Sequence, residues 1–242
     1  MHLRALYESL LGAYGPQGWW PVADEGMPYA TYKKRVRLTP AQQWEVCAGA
    51  LLTQNTSWKN AEKALAALRK AKALSVETIA RIPEKRLVSL IHSAGYFNQK
   101  ALRLCVLARH VQEKYNGKIE VLLSKPLPLL RAELLELNGI GPETADSILV
   151  YAAGKPAFIA DTYARRILGR VHGTRMQSYE AQKKDAESRL PSNPKMFNEF
   201  HALLVEHAKR HCKKNNPVCE RCPVYSHCAY ALEYSSSAHK NI

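Results

Sequence analysis

Nowhere in the 242 residues is there an apolar run of the ~18 residues that a membrane-spanning helix requires, so no span is predicted. The opening stretch MHLRALYESLLGAYG lacks the form of a secretory leader, because charge interrupts its short apolar part and no small-residue cleavage site follows. There is no convincing period-two alternation, no low-complexity linker and no long-period repeat, which excludes a strand-built or solenoid fold. Acidic residues are scarce: 21 Asp and Glu face 35 Lys and Arg, a formal net charge of +14 at pH 7. The resulting pI of about 9.6 favours a polyanionic partner, of which nucleic acid is the commonest. Ribosomal and membrane-surface proteins are basic too, so charge alone does not choose. The expectation is a soluble, cytoplasmic, nucleoid-associated monomer with no membrane partner.

What the chain does have is apolar spacing at the helical period along nearly its whole length, which predicts an all-α protein. Thr39-Pro40 opens a helix running to about Thr53, with proline at the first helical position. Ser57 is expected to cap the next, through Ala61, Leu65 and Leu68 towards Leu74. Ser75 and Pro83 start two shorter helices, and Asn98 a longer one that stops near Asn116-Gly117. KPLPLLRAELLEL is entered through prolines, and Pro142 begins a helix ending at Gly154. Three more are expected near 160–173, 179–190 and 195–211.

Between two of these helices lies LNGIGPETA, residues 137–145. Two glycines around one apolar residue suit a tight hairpin, with Gly139 and Gly141 free to take positive φ and Ile140 anchoring the turn in the core. Backbone N–H groups beside the start of the following helix would then make an anion site of the kind that takes a phosphate. An ordinary helix-turn-helix connection reads the same way in isolation. Farther on, GKPAFIAD ends an apolar run on Asp161, which by itself is as well explained as a helix cap.

The third signal is HCKKNNPVCERCPVYSHC, in which Cys212, Cys219, Cys222 and Cys228 form a C-x6-C-x2-C-x5-C array. Four thiolates this close in sequence close around one soft metal centre at little loop-closure cost. Disulfides fit poorly, since Cys47 and Cys105 sit singly in apolar helical patterns and no leader precedes them. Zinc stays open on spacing, although four-cysteine zinc sites usually use two tight pairs and only one is present here.

Taken together and in this order, LNGIGPETA, GKPAFIAD and the cysteine array resemble the helix-hairpin-helix signature of the endonuclease III superfamily of DNA glycosylases, over roughly residues 35 to 228. The resemblance implies a six-helix barrel domain at 35–155 carrying the hairpin, and an iron-sulfur domain made of 1–34 and 156–242. DNA and an extruded base would lie between the two. It also implies a [4Fe-4S] cluster on Cys212, Cys219, Cys222 and Cys228, with Lys213 and Lys214 of the first cluster loop near the DNA backbone. Gly139, Ile140, Gly141 and Thr144 of the hairpin would contact DNA. Asp161 matches the family's catalytic aspartate, and a fixed carboxylate suits the positive charge that develops on deoxyribose when its bond to the base breaks.

The position that holds a Schiff-base lysine in bifunctional members is Glu143 here, and a carboxylate cannot be the amine nucleophile. A monofunctional glycosylase is therefore expected, with base removal and little strand cleavage. GWWPV, LLTQNTSWKNAEKAL and AGYFNQKALRL are similar to stretches of the MagIII-type 3-methyladenine DNA glycosylases. On that match Trp20 and Trp58 would stack the base, and electron-rich indoles suit the cationic ring of an N-alkylated purine. Gln54 would fill the hole left by the flipped base, and Tyr96 would wedge the opposite strand, unless its ring packs in the core. The cysteine array departs from the MagIII type, so thymine, uracil or hypoxanthine stay open as substrates. A damaged-DNA binder without chemistry and an iron-sulfur redox sensor are the rivals from other classes.

Overall fold

The computed structural model describes residues 1–24, 26–27, 29–32 and 37–238, with main chain alone for 234–238. It divides into two compact units, one of Met1–Gln17 with Pro156–Ile242 and one of Gly18–Lys155. The domain boundary expected at 34–35 lies outside the described residues. The described part of 18–32 falls in the second unit for a visible reason. The Ala23 N–H donates to Glu45 Oε1 at 3.0 Å, Gln42 Nε2 donates to the Ala23 carbonyl at 3.1 Å, and Val22 bridges Thr31.

In the first unit α1 (Leu3–Tyr14) packs on the long C-terminal α12 (Pro194–Arg210). Its Leu3, Leu6 and Leu10 join Phe158, Phe197, Phe200 and Leu204 in one apolar cluster. Their spacing of three and four puts the leucines on one helix face. The unit also holds α10 (Thr162–His172), α11 (Tyr179–Arg189) and α13 (Ala229–Ala238), of which α10 and α13 pack together.

The second unit is built around α2 (Pro40–Leu52), whose residues Trp44 to Leu52 are all buried. From Trp44 on it is apolar except for Glu45, which accepts from the Ala23 N–H and Arg69, so it sits inside, against α3 (Trp58–Lys70), α6 (Phe97–Tyr115), α7 (Ile119–Ser124) and α9 (Pro142–Ser147). The Thr39–Gln42 capping box fixes its start. The short α4 (Val76–Arg81) and α5 (Glu84–Leu90) cover α6, and α8 (Leu127–Leu135) pairs with α9.

No strand occurs among the described residues, as the sequence predicts. Several details differ from expectation. Helix α3 stops at Lys70, short of Leu74, because Lys72 turns left-handed at φ 52. Ser57 precedes α3 without a side-chain cap bond. Helix α6 starts at Phe97 behind a left-handed Tyr96, one residue before Asn98. The helix from Pro142 widens to a π segment over Ile148–Ala152. Helices α1, α7 and α13 were not expected.

Candidate functional site

The hairpin joins α8 to α9 through a turn closed by the Ile140 N–H to the Leu137 carbonyl at 3.0 Å. Ile140 is buried, as its apolar side chain demands. The two glycines do different work. Gly139 takes φ +89, and a Cβ there would land inside the Arg103 side chain, so only glycine fits. Gly141 does not take the positive φ expected of it: it caps α9 at φ −89 and ψ 177, and a Cβ there would meet open space. Arg131 on α8 pairs with fully buried Asp146 on α9 through two bonds of 2.9 and 3.2 Å, clamping both arms.

Gln54 is tied to this hairpin. Its Nε2 donates to the Gly139 carbonyl at 3.1 Å and to Thr144 Oγ1 at 2.8 Å, while Oε1 accepts a short bond from Arg103 Nη1. Thr144 is buried and holds Gln54 through its hydroxyl. Glu143 stands exposed in the first turn of α9, where a carboxylate also favours the helix dipole.

Trp20 and Trp58 come together, at 5.2 Å between ring centroids and perpendicular. Trp19 lies edge-on to both, at 5.4 and 5.1 Å, and Tyr151 joins Trp20 at 5.2 Å. Tyr32 sits against Trp19 at 5.9 Å. The Trp20 indole lies over Gly49 of α2, where an added Cβ would come within 3.0 Å of the ring. Trp44 belongs to the core at 2 % exposure. Tyr32 and Tyr151 were missed by sequence reasoning, since nothing about their spacing links them to the tryptophans.

Tyr96 is 66 % exposed, so its ring does not pack in the core. It takes the left-handed φ 46 and ψ 34 directly after Gly95 at φ 66 and ψ 162. One turn along α6 is Lys100, buried at 1 % exposure, whose Nζ donates to the Leu52 and Ala94 carbonyls at 2.8 and 2.7 Å. Burial, with Arg103 nearby, pulls its ammonium down to about 8. A lysine inside a helix gives no sequence signal of this kind.

In the other unit Asp161 caps α10, its Oδ1 accepting the Ala164 N–H at 2.7 Å. Its Oδ2 faces His201 Nε2 at 3.5 Å, a partner on α12 that sequence reasoning did not find. Cys212, Cys219, Cys222 and Cys228 line one cavity together with Arg170, His207 and Tyr230. Burial, and then the charges of neighbouring cysteines, push the thiols of Cys219, Cys222 and Cys228 up, Cys222 to about 11. Four cysteines lining one space fit a group that takes four thiolates. Among the described residues no group of three or more His, Cys, Asp or Glu is arranged to hold a metal ion. Arg170 braces the loop: Nη1 and Nη2 donate to the carbonyls of Lys213 and Lys214 at 2.6 and 3.0 Å, leaving both lysine side chains exposed. No helix among the described residues is long and apolar enough to cross a membrane.

Residues 48–192 match the profile of the HhH-GPD superfamily base excision DNA repair proteins. The chain is 37 % identical over 225 residues, 92 % of its length and 94 % of its relative's, to MJ1434 of Methanocaldococcus jannaschii, whose name provisionally makes it a DNA repair glycosylase. The fold is similar to that of an endonuclease III trapped as a covalent DNA intermediate, with TM-score 0.73, 21 % identity and coverage of 96 % of this chain and 97 % of that one. It is also similar to the H. pylori 3-methyladenine DNA glycosylase (MagIII) bound to 1,N6-ethenoadenine, with TM-score 0.67, 24 % identity and coverage of 86 % and 98 %.

Proposed function

Because this chain belongs to the HhH-GPD superfamily of base excision DNA repair proteins, we propose that it is a monofunctional DNA glycosylase. It takes N-alkylated purines such as 3-methyladenine out of double-stranded DNA and hydrolyses their N-glycosidic bond. The observation that carries the substrate class is the gathering of Trp19, Trp20, Trp58 and Tyr151 in one place. An indole face attracts a cation by roughly 0.5–2 kcal/mol, and alkylation at nitrogen is what makes a purine cationic. Similarity of fold to a 3-methyladenine DNA glycosylase (MagIII) supports the same choice.

In the reaction the bond from sugar C1′ to the base nitrogen breaks, and its electron pair leaves with the base. Positive charge builds on the sugar, and a water oxygen bonds to C1′ and gives up its proton to bulk water, while the cationic base departs neutral. Asp161 is the carboxylate for that step: its backbone-anchored Oδ1 fixes the group, while Oδ2 offers negative charge. Extrusion of the base costs a few kcal/mol of stacking and pairing. Tyr96, exposed, wedges the opposite strand, and Gln54 at the head of the hairpin enters the vacated space. Phosphate approaches the hairpin over Gly141, where the absent Cβ leaves room.

With Glu143 in the first turn of α9 there is no amine at that place to attack the sugar, in contrast to the endonuclease III trapped covalently on DNA. Cys212, Cys219, Cys222 and Cys228 hold a [4Fe-4S] cluster, which when bound cross-links the loop between them. Arg170 then presents Lys213 and Lys214 to the DNA backbone.

Base release from randomly methylated DNA, with the products separated chromatographically and borohydride added in parallel, tests the reading. Free 3-methyladenine without a trapped covalent adduct is the expected result. Release of uracil, thymine or hypoxanthine with methylated DNA ignored overturns the substrate class, and efficient trapping at the rate of base release overturns monofunctionality.

A further inference from the structure

Lys100 carries a charge into the interior of the second unit, where both acceptors of its ammonium are backbone carbonyls rather than a carboxylate. Burying an ammonium forfeits most of its hydration, so a methionine or leucine would pack there more cheaply unless the charge has a task. The two acceptors are alike. Leu52 ends α2, so its carbonyl is among those a helix C-terminus leaves without an intrahelical partner, and Ala94 ends the 3-10 turn His92–Ala94. A cation satisfies such groups and the partial negative charge they share.

The residues just beyond each acceptor give the contact its meaning. Two residues past Leu52 is Gln54, and two residues past Ala94 is Tyr96. The Tyr96 end of the second loop is already held by the first-turn bond of α6, from the backbone N–H at position 100 to the Tyr96 carbonyl at 3.0 Å, and the Lys100 side chain adds the hold on its Ala94 end. One turn along α6, Arg103 holds Gln54 Oε1. Tyr96 in a left-handed conformation is a strained arrangement that persists only where its surroundings hold it.

We propose that Lys100 is a positioning residue that locks the Gln54 turn and the Tyr96 loop into one bracket, so that hole filler and wedge enter the duplex as a unit. This rests on the duplex-opening roles assigned above to Gln54 and Tyr96. Lys100 touches neither base nor sugar; its effect falls on extrusion, before the bond breaks.

The test compares one N-alkylpurine in two duplexes, paired normally or set opposite an abasic site, where extrusion is cheaper. Lys100→Met should slow excision of the paired lesion by about tenfold or more and that of the unpaired lesion by under about threefold. Lys100→Arg, which keeps donors, should restore part of the loss. In a Tyr96→Ala background the effect of Lys100→Met should shrink, because residues acting as one unit are not additive. Equal losses on both duplexes, or fully additive losses with Tyr96→Ala, overturn the proposal. Thermal unfolding is followed throughout, and should Lys100→Met not fold, Lys100→Arg and Lys100→Gln carry the same comparison. A wild-type protein that releases no base from either duplex would instead sink the glycosylase reading.

Discussion

Helix α2 buries nine consecutive residues from Trp44 to Leu52, whereas the loop from Cys212 to Cys228 buries only Val224 and Cys228. Both regions present groups assigned here to DNA, yet they are held by opposite means. The hairpin and aromatic face stand on a packed core and are trimmed by hydrogen bonds from Gln54, Lys100 and Arg103. The cysteine loop buries little apolar surface, and Arg170 braces it through the Lys213 and Lys214 carbonyls. The lesson is that burial suffices where the chain can bring helices to bear, and that a short loop needs cross-links instead. All four tryptophans lie in the Gly18–Lys155 unit, so indole fluorescence reports on one region without the other.

The largest expected effect separates fold from chemistry at Asp161. Asparagine caps a helix about as well as aspartate, so Asp161→Asn should unfold normally while base release falls about 10²–10³-fold, or more. Near-normal turnover in this variant would remove Asp161 from the reaction. Next, replacing Cys219 and Cys222 by serine should abolish any iron and sulfide content and weaken DNA binding, with indole fluorescence unchanged. Loss of the Lys213 and Lys214 contacts should flatten the salt slope of binding by about 0.9 for each phosphate released. A joint collapse of fluorescence and binding would erase the contrast between the regions.

A smaller effect lies in the buried polar knot of the second unit. Burial raises the Glu133 carboxyl, but hydrogen bonds from Lys125, Tyr115 and His110 outweigh it and hold the group at about 2. Its folded value lies below the ordinary 4.5, so its contribution to stability is complete above pH 4.5 and is lost as pH falls from there towards 2. Glu133→Gln should cost about 1–3 kcal/mol at neutral pH and flatten the dependence of stability on pH in that window. Acid denaturation curves that superimpose for the two proteins would contradict it.

For substrate choice, Trp20→Ala or Trp58→Ala should erode the preference for cationic over neutral bases by about twofold to thirtyfold per indole. Thermal stability must be followed in parallel, since loss of a packed indole costs about 3–5 kcal/mol in itself and imitates lost activity. The smallest effect is in the hairpin. Gly141→Ala should leave stability within about 0.5 kcal/mol, since its φ suits any residue and its Cβ meets open space. Gly139→Ala, at φ +89 and against Arg103, should cost more than about 1 kcal/mol. Equal costs at the two glycines would refute the distinction drawn between them.

Much of this architecture is legible in the sequence alone, because it is written in local chemistry. Helical periodicity, the Thr39-Pro40 start, the Ile140 turn, the four-cysteine array and the carboxylate at 143 all depend on residues near one another in sequence. The short α7, IEVLLS, spans too few residues to show a period, and α1 and α13 lie in stretches with weak start signals. Only the tertiary structure decided which aromatics meet, that Gly139 alone of the hairpin glycines needs positive φ, that Asp161 faces His201, and that Lys100 bridges two carbonyls. Those contacts join residues far apart in the chain, where the partner is chosen by helix packing and by the need of each buried polar group to find an acceptor or donor, and no spacing along the sequence records that choice.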